Sequence, residues 1–392
     1  MTKELTNTRT HDQQQKVTEI NVLIIEDDDD QFEVIQDSIN EFNEENPFFQ
    51  LKYRWASNYN AALIELISED YDSAIIDLQL DSTKSSDDVL DGNKLIDLII
   101  HKLRFPIFVR TGFPGKVQAE EHNFFKVYSK TYKVDDIISE IVTIYKKGIT
   151  NTIGTKGKVE KYLNEIFWER LSHNINEWDA EFLLNKEHEI SLVRYCMSLL
   201  NEYLEINTDG DQLLEYHPFE VFIKPPIKPY IFFGDIIFES EKNQFYIVLS
   251  PPCDMAQKKY EKIIIAEIEL LESIDEINEF KTNYYSAECD KKLGKARKAQ
   301  EKIIGVTSNN YKDKYHYLPS YQEFPGGLIN FQKIQSYTLK ELEGFNIFAS
   351  INSKFGKDIT ARFSQYLSRQ GQPNLNNTVI LKNILGVKEL LS

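Results

Sequence analysis

Val22-Leu23-Ile24-Ile25-Glu26-Asp27-Asp28-Asp29-Asp30 decides the fold of the first third of the chain. Four branched apolar residues in a row read as a buried strand. The acids that follow would lie at its carboxyl end, where open α/β sheets bind ligands. Like charges this close repel, so a fold that gathers them needs a counter-charge, and carboxylate oxygens commonly hold a divalent cation. Ala74-Ile75-Ile76-Asp77-Leu78-Gln79-Leu80 repeats the arrangement. If the two strands are parallel neighbours, Glu26, Asp27 and Asp77 converge at one sheet edge. Three carboxylates there suit Mg²⁺, which keeps several waters and takes only a few protein oxygens. A carboxylate beside Mg²⁺ also points to phosphoryl chemistry, because aspartates form acyl phosphates as nucleophiles.

Two more runs fit the same sheet. Pro106-Ile107-Phe108-Val109 leads to Thr111-Gly112, and Phe124 to Tyr128 leads to Ser129-Lys130. A hydroxyl and an ammonium would then face the acids, and both can contact phosphoryl oxygens, the lysine as a point charge. Helical patterns at Asn60–Ile67, Asn93–His101 and Asp135–Tyr145 alternate with the strands, including one at Leu51–Trp55. Strands separated by helices make βαβ units and a parallel sheet.

From about Val17 to Lys147 the chain resembles the receiver domain of bacterial two-component response regulators. The resemblance rests on IIEDD, IIDLQL, RTG and the lone Ser-Lys pair, in that order. It implies a flavodoxin-like, doubly wound five-stranded parallel sheet. It implies that Asp77 is the phosphoacceptor and that Glu26 and Asp27 are the acidic metal pair. Gln79 takes the place that offers Mg²⁺ a backbone carbonyl. Thr111 takes the switch hydroxyl, and Lys130 the phosphate-contacting lysine. The implied partner is a histidine kinase or a phosphotransfer protein. There are departures. Thr131 stands where the family has proline. Val127 stands where it has an aromatic, with Tyr128 one step along, which puts in doubt the usual coupling of Thr111 to the output face. The fourth helix is poorly written, with Pro114-Gly115 inside it. The loop from Asp77 to Gly92 is long, and its Ser82, Thr83, Ser85, Ser86, Asp87 and Asp88 read as a surface insertion, with a lid as the competing reading.

The chain has 392 residues, long enough for two or three domains. Hydrophobic content of 41% and charged content of 27% fit a soluble globular protein. Its net charge of −17 divides into −12 for residues 1–150 and −5 for the remainder. Neither part is basic, which disfavours a nucleic-acid partner by the global field. No apolar run is long enough for a membrane helix. Residues 1–16 are polar, read as a disordered tail rather than a secretory signal. Cys196, Cys253 and Cys289 are widely spaced, which argues against a disulfide framework or a structural zinc site and for a cytoplasmic home.

Beyond the receiver-like residues 17–147, composition marks 148–157 as a linker and 158–207 as a helical segment. That segment reads as a packed subdomain, with a homodimer seam as the alternative. Residues 208–392 read as an α+β domain with a small curved β sheet or barrel: strands at Tyr230–Phe238, Phe245–Ser250 and Lys262–Ile268, then a helix at Asp275–Lys302. Strand edges follow at Tyr315–Pro319 and Leu328–Ile334, and a helix at Ile359–Ser368. The order of strands is faintly similar to the SH3-like barrel of PemK-type ribonucleases, and no catalytic residue carries over. Cys253-Asp254 after Pro251-Pro252, with His316, is a candidate thiol site, although a buried cysteine is the simpler reading. The basic run 291–298 and Tyr311, Tyr315, Tyr317 and Tyr321 read first as solvated surface and core. Three outputs stay open: a module that binds a protein partner without DNA, a receiver-gated ribonuclease or thiol hydrolase, and a phosphoryl sink such as anti-phage two-component systems contain.

Overall fold

A computed structural model describes residues 17–80, 91–174, 186–205, 215–286, 290–369 and 374–389. The chain divides into two compact units, Met1–Leu214 and Glu215–Ser392. The tail and the residue 82–88 loop readings lie outside the described residues.

In the first unit, β1 (Thr18–Ile25), β2 (Phe49–Ala56), β3 (Ser73–Ile76), β4 (Ile107–Thr111) and β5 (Phe125–Ser129) form one sheet in the order β2-β1-β3-β4-β5. All its ladders are parallel. This is the flavodoxin-like order of doubly wound sheets. The strands are apolar on both sides because helices cover both faces. Helices α2 (Tyr59–Ser68) and α3 (Asp91–Lys102) pack on Leu23, Ile25, Ile76 and Val109. Helices α1 (Asp29–Glu45) and α4 (Val134–Lys146) cover Val22, Ile24, Ile75 and Phe108. The Asp28 side chain caps α1 by accepting the Gln31 amide, and Asn58 caps α2 by accepting that of Ala61.

Between β4 and β5 the described chain holds a single 3₁₀ turn, Pro114–Lys116, in place of a helix. Proline and glycine there cannot sustain one. Instead the buried Asn93 side chain of α3 pins the connection, donating to the Lys116 carbonyl at 3.1 Å and accepting the Gln118 amide at 3.3 Å.

Residues 148–157, expected as a linker, carry the short helix α5 (Ile149–Ile153). Gly148 enters it at φ 75°, which relieves the turn after α4. Thr150 is buried, and the Lys156 ammonium meets Asp70 at 2.5 Å. Then α6 (Lys158–Glu165) runs through a π-helical turn, Ile166–Leu171, into α7 (Ser172–Asn174). Glu160 pairs with Arg104 beside α3. α8 (Lys186–Tyr203) joins this group by the stacking of Tyr203 on Tyr162.

The second unit is an antiparallel sheet of seven strands: β6 (Phe222–Ile223), β7 (Asp235–Glu239), β8 (Gln244–Val248), β9 (Ile263–Glu269), β10 (Tyr315–Leu318), β11 (Gly327–Tyr337) and β12 (Phe345–Ile351). Their order is β10-β11-β9-β8-β7-β12-β6. Register breaks between Ile329 and Ile334 and between Ile347 and Ala349 bend the sheet. It curls until Phe222, on one edge strand, stacks on Tyr321 just past the other, with ring centroids 5.1 Å apart. The expected curved sheet is therefore present, and no ladder closes it into a barrel among the described residues.

The concave face buries Ile247, Ala266, Phe324 and Phe331 under α12 (Ser353–Leu367). The convex face carries Tyr246, Val248 and Ile265 with Met255 of α9 (Pro252–Ala256). The helix expected over Asp275–Lys302 is two, α10 (Asp275–Tyr285) and α11 (Asp290–Thr307). Among the described residues α13 (Asn377–Leu385) comes last.

Candidate functional site

Register builds the acid cluster. Ile25 of β1 pairs with Ile76 of β3, so Glu26 and Asp77 leave adjacent strands at the same level. The Asp77 amide donates to the Ile25 carbonyl at 2.8 Å, which locks the two exits together. Oxygens of Glu26, Asp27 and Asp77 lie within 4.8 Å of one another. Across the sheet, Thr111 pairs with Ser129, which sets Lys130 at the same edge. The Lys130 ammonium reaches Asp77 Oδ2 at 2.9 Å and Glu26 Oε1 at 3.0 Å. Asp77 Oδ1 accepts the Leu78 amide at 2.7 Å. The cluster opens into a cavity of about 400 Å³ lined by Asp27, Asp28, Asp29, Asp30, Asp77, Gln79 and Lys130.

Gly92 explains how α3 can begin against this loop. A Cβ there would fall 2.5 Å from the Asp77 carbonyl oxygen and from Leu78 Cα, so no other residue fits without moving the site.

The electrostatics follow from burial. Desolvation, and then the charge of Asp77, push the Glu26 carboxyl up to about 7. Asp27 is raised by the same two causes in the same order. Burial pulls the Lys130 ammonium down, but hydrogen bonds and charge from Asp77 and Glu26 outweigh it and hold it above its usual range. The site thus carries more negative charge than Lys130 can balance. Hard oxygen donors in surplus fit a small divalent cation such as Mg²⁺.

Thr111 is fully buried, and its Oγ1 accepts the Phe113 amide at 3.3 Å. Tyr128 is turned from the acids onto the opposite layer, stacking on Phe108 at 6.5 Å and on Tyr132 at 4.5 Å. Val127 packs against the layer of α2 and α3.

One residue at this edge escaped the sequence reading. Arg110 is 4% exposed, with its guanidinium donating to Gln31 Oε1 at 2.9 Å and to the Lys130 carbonyl at 2.8 Å. It ties the Lys130 turn to the first turn of α1. Its position two residues after Phe108 puts it on the face of β4 that α1 and α4 cover, but a lone arginine in a strand does not by itself announce burial. Trp55 was also missed; its indole donates to the Glu26 carbonyl at 2.8 Å and its ring stacks on Phe32 at 4.1 Å.

The thiol candidate is corrected. Cys253 lies exposed on α9 with Sγ 3.7 Å from Asp254 Oδ1. α9 packs by Met255 on the convex face. His316 pairs across β10 with Ile329, whose side chain belongs to the concave core. The sheet therefore separates thiol and imidazole, and strand parity is the reason. His316 is 6% exposed, and its Nδ1 has no hydrogen-bond partner. Burial pushes its imidazole down to about 4, only partly opposed by Asp358, whose carboxylate is 3.8 Å away.

No protein-family profile and no curated protein matches this chain. Among solved structures, the N-terminal third is similar to a CheY-like response-regulator receiver domain from Methylobacillus flagellatus. Identity is 20%, over 32% of this chain and 99% of that one, with a TM-score of 0.24. The receiver domain of NtrX from Brucella abortus matches at 14% identity over 33% and 99%, TM-score 0.24. TrrA from Thermotoga maritima, solved with Mg²⁺ and a beryllium fluoride, matches at 16% over 32% and 98%, TM-score 0.24. The strand order and the two-faced helix cover define the N-terminal fold as an open, doubly wound α/β sheet. Among the described residues no helix is long and apolar enough to cross a membrane.

Proposed function

We propose that the N-terminal unit accepts a phosphoryl group on Asp77 from the phosphohistidine of a kinase or phosphotransfer protein, as a response regulator does. The observation that carries this is the convergence of three carboxylates from two adjacent strand ends on one lysine, 2.9 Å from Asp77. Glu26, Asp27 and Asp77, with the Gln79 carbonyl, would hold Mg²⁺. Bound there, the ion supplies charge neutralisation for the group in transfer and favours in-line approach.

A carboxylate oxygen of Asp77 bonds to phosphorus as the phosphorus–nitrogen bond of the donor breaks. The bond pair returns to the imidazole nitrogen, which takes a proton from solvent. The Asp77 acyl phosphate then gains two charge-assisted contacts. Lys130 shifts its hydrogen bond from carboxylate to phosphoryl oxygen. Thr111, whose oxygen is fixed by the Phe113 amide, turns its hydroxyl hydrogen to a second one.

The test is labelling with radioactive acetyl phosphate in Mg²⁺. The intact chain should take up label that is lost at alkaline pH, and Asp77→Asn should take up none. Equal label on that variant contradicts the assignment.

A second reading is a phosphoryl sink that drains a donor without switching an output. Two features favour it: the connection from β4 to β5 has a 3₁₀ turn where a mobile helix would respond, and Tyr128 is already held between Phe108 and Tyr132.

A further inference from the structure

Residues 291–314 hold eight basic and two acidic side chains in a chain whose net charge is −17. Part of this excess lies along one line. On α11, Lys295, Lys298 and Lys302 recur at spacings of three and four, so they form one stripe spanning roughly 10 Å. All three are exposed, and none has an ion-pair partner among the described residues.

Aromatic rings accompany the stripe. The Lys302 ammonium lies 4.8 Å from the Phe280 ring of α10. The two helices run antiparallel, with Ile277 and Val306 in one cluster, so one turn further along α10 reaches the level of Lys298. There stand Tyr284 and Tyr285, 45% and 81% exposed. Back along α10, Glu276 bonds both Tyr311 and Lys312. Tyr311 stacks on Tyr315 with ring planes 8° apart, and Lys314 lies 4.5 Å from the Tyr315 ring. Lys312 and Lys314 then open into a cavity of about 520 Å³ that also takes Arg369 and Tyr366. Two of these cations are partly neutralised, Lys312 by Glu276 and Arg369 by Asp313.

We infer that the α10–α11 face and the adjoining cavity bind a single-stranded nucleic acid. Unpaired lysines in a row fit a phosphate backbone. Exposed tyrosines beside them fit unstacked bases, which a duplex does not offer. An acidic protein segment would use the lysines and leave Tyr284 and Tyr285 without a role. The chain's overall negative charge is no obstacle, because screening limits opposing fields to about 10 Å at moderate salt.

The experiment is fluorescence anisotropy of the full chain with labelled oligouridylate and oligodeoxythymidylate, with polyglutamate as competitor. Saturable binding is expected at low salt, with log affinity falling linearly in log salt. Lys298→Glu with Lys302→Glu should weaken it by about tenfold or more and flatten the salt slope by about 1.4. Tyr284→Ala with Tyr285→Ala should also weaken it by about tenfold or more, at an unchanged salt slope. These side chains are exposed, so circular dichroism should be unaltered. Preference for the RNA or the DNA arm identifies which polymer is bound, and either supports the inference. Absence of binding overturns it. Binding insensitive to the tyrosines and displaced equally by polyglutamate also overturns it, in favour of an acidic protein partner. Asp77→Asn should bind as the parent does, so failure here leaves the phosphoacceptor reading intact.

Discussion

Glu26 in the N-terminal unit and His316 in the C-terminal unit are both buried against their charged forms, yet their surroundings differ. Glu26 belongs to a group of carboxylates that crowd one point and share one lysine. His316 lies beneath α12 with no hydrogen bond at Nδ1 and a single carboxylate, Asp358, 3.8 Å away. Other buried or half-buried polar groups of the C-terminal sheet are locally satisfied. Asp235 accepts the Ser350 hydroxyl and the Phe232 amide, and Glu269 accepts Tyr315 and Asn330. The lesson is that burial of charge alone does not mark a site; convergence of unbalanced charge does.

Core packing supplies the largest test of that contrast. Phe324 is fully buried among Phe222, Phe245 and Phe348. Phe324→Ala should cost the C-terminal unit about 3–5 kcal/mol by urea unfolding. Acetyl phosphate labelling of the N-terminal unit should persist. Loss of labelling would mean that the units do not hold their structures separately.

Next come pH effects of opposite sign. The Glu26 carboxyl is raised to about 7, so its contribution to stability is present at low pH and lost as pH rises from the ordinary carboxylate range through about 7. The His316 imidazole is lowered to about 4, so its contribution is present above its ordinary value and lost as pH falls toward 4. Each amounts to at most about 3–4 kcal/mol. Glu26→Gln should flatten the neutral limb of the metal-free stability curve, and His316→Leu the acidic limb. Identical curves for parent and variants would remove the electrostatic contrast. The same shift predicts that Mg²⁺ affinity, followed by Trp55 fluorescence, weakens up to about tenfold per pH unit below 7.

Arg110→Leu should act more subtly. It frees the Lys130 turn from α1, so labelling should slow while Mg²⁺ affinity changes less. An unchanged labelling rate would make Arg110 a packing residue alone. The smallest effect belongs to Cys253→Ala, expected within about 0.5 kcal/mol of the parent in stability. A larger loss, or any loss of labelling, would reopen the thiol reading.

Legibility in the sequence followed the same divide. Ile24-Ile25-Glu26-Asp27 and Ile75-Ile76-Asp77 were readable because a buried parallel strand is a continuous apolar run and its end is where acids stand out. Arg110 was not, since a single arginine in a strand shows its burial only once the neighbouring helix is placed. The linker reading of 148–157 failed to anticipate α5 because glycine and threonine mark a turn without saying whether the next residues dock. In the C-terminal unit, β12 and the two-residue β6 gave weak signals, and the curl comes from bulges that no local pattern announces. The basic stripe was visible as composition, but its alignment with Tyr284 and Tyr311 depends on how α10 meets α11.

The most direct test of the central claim is to locate the acyl phosphate. Borohydride reduction after acetyl phosphate treatment converts a phosphorylated aspartate to homoserine, which peptide mass spectrometry places. Homoserine at position 77, dependent on Mg²⁺ and lost in Glu26→Gln with Asp27→Asn, is the predicted result. Homoserine at 27 or 28, or none under conditions where acetyl phosphate is consumed, would contradict it.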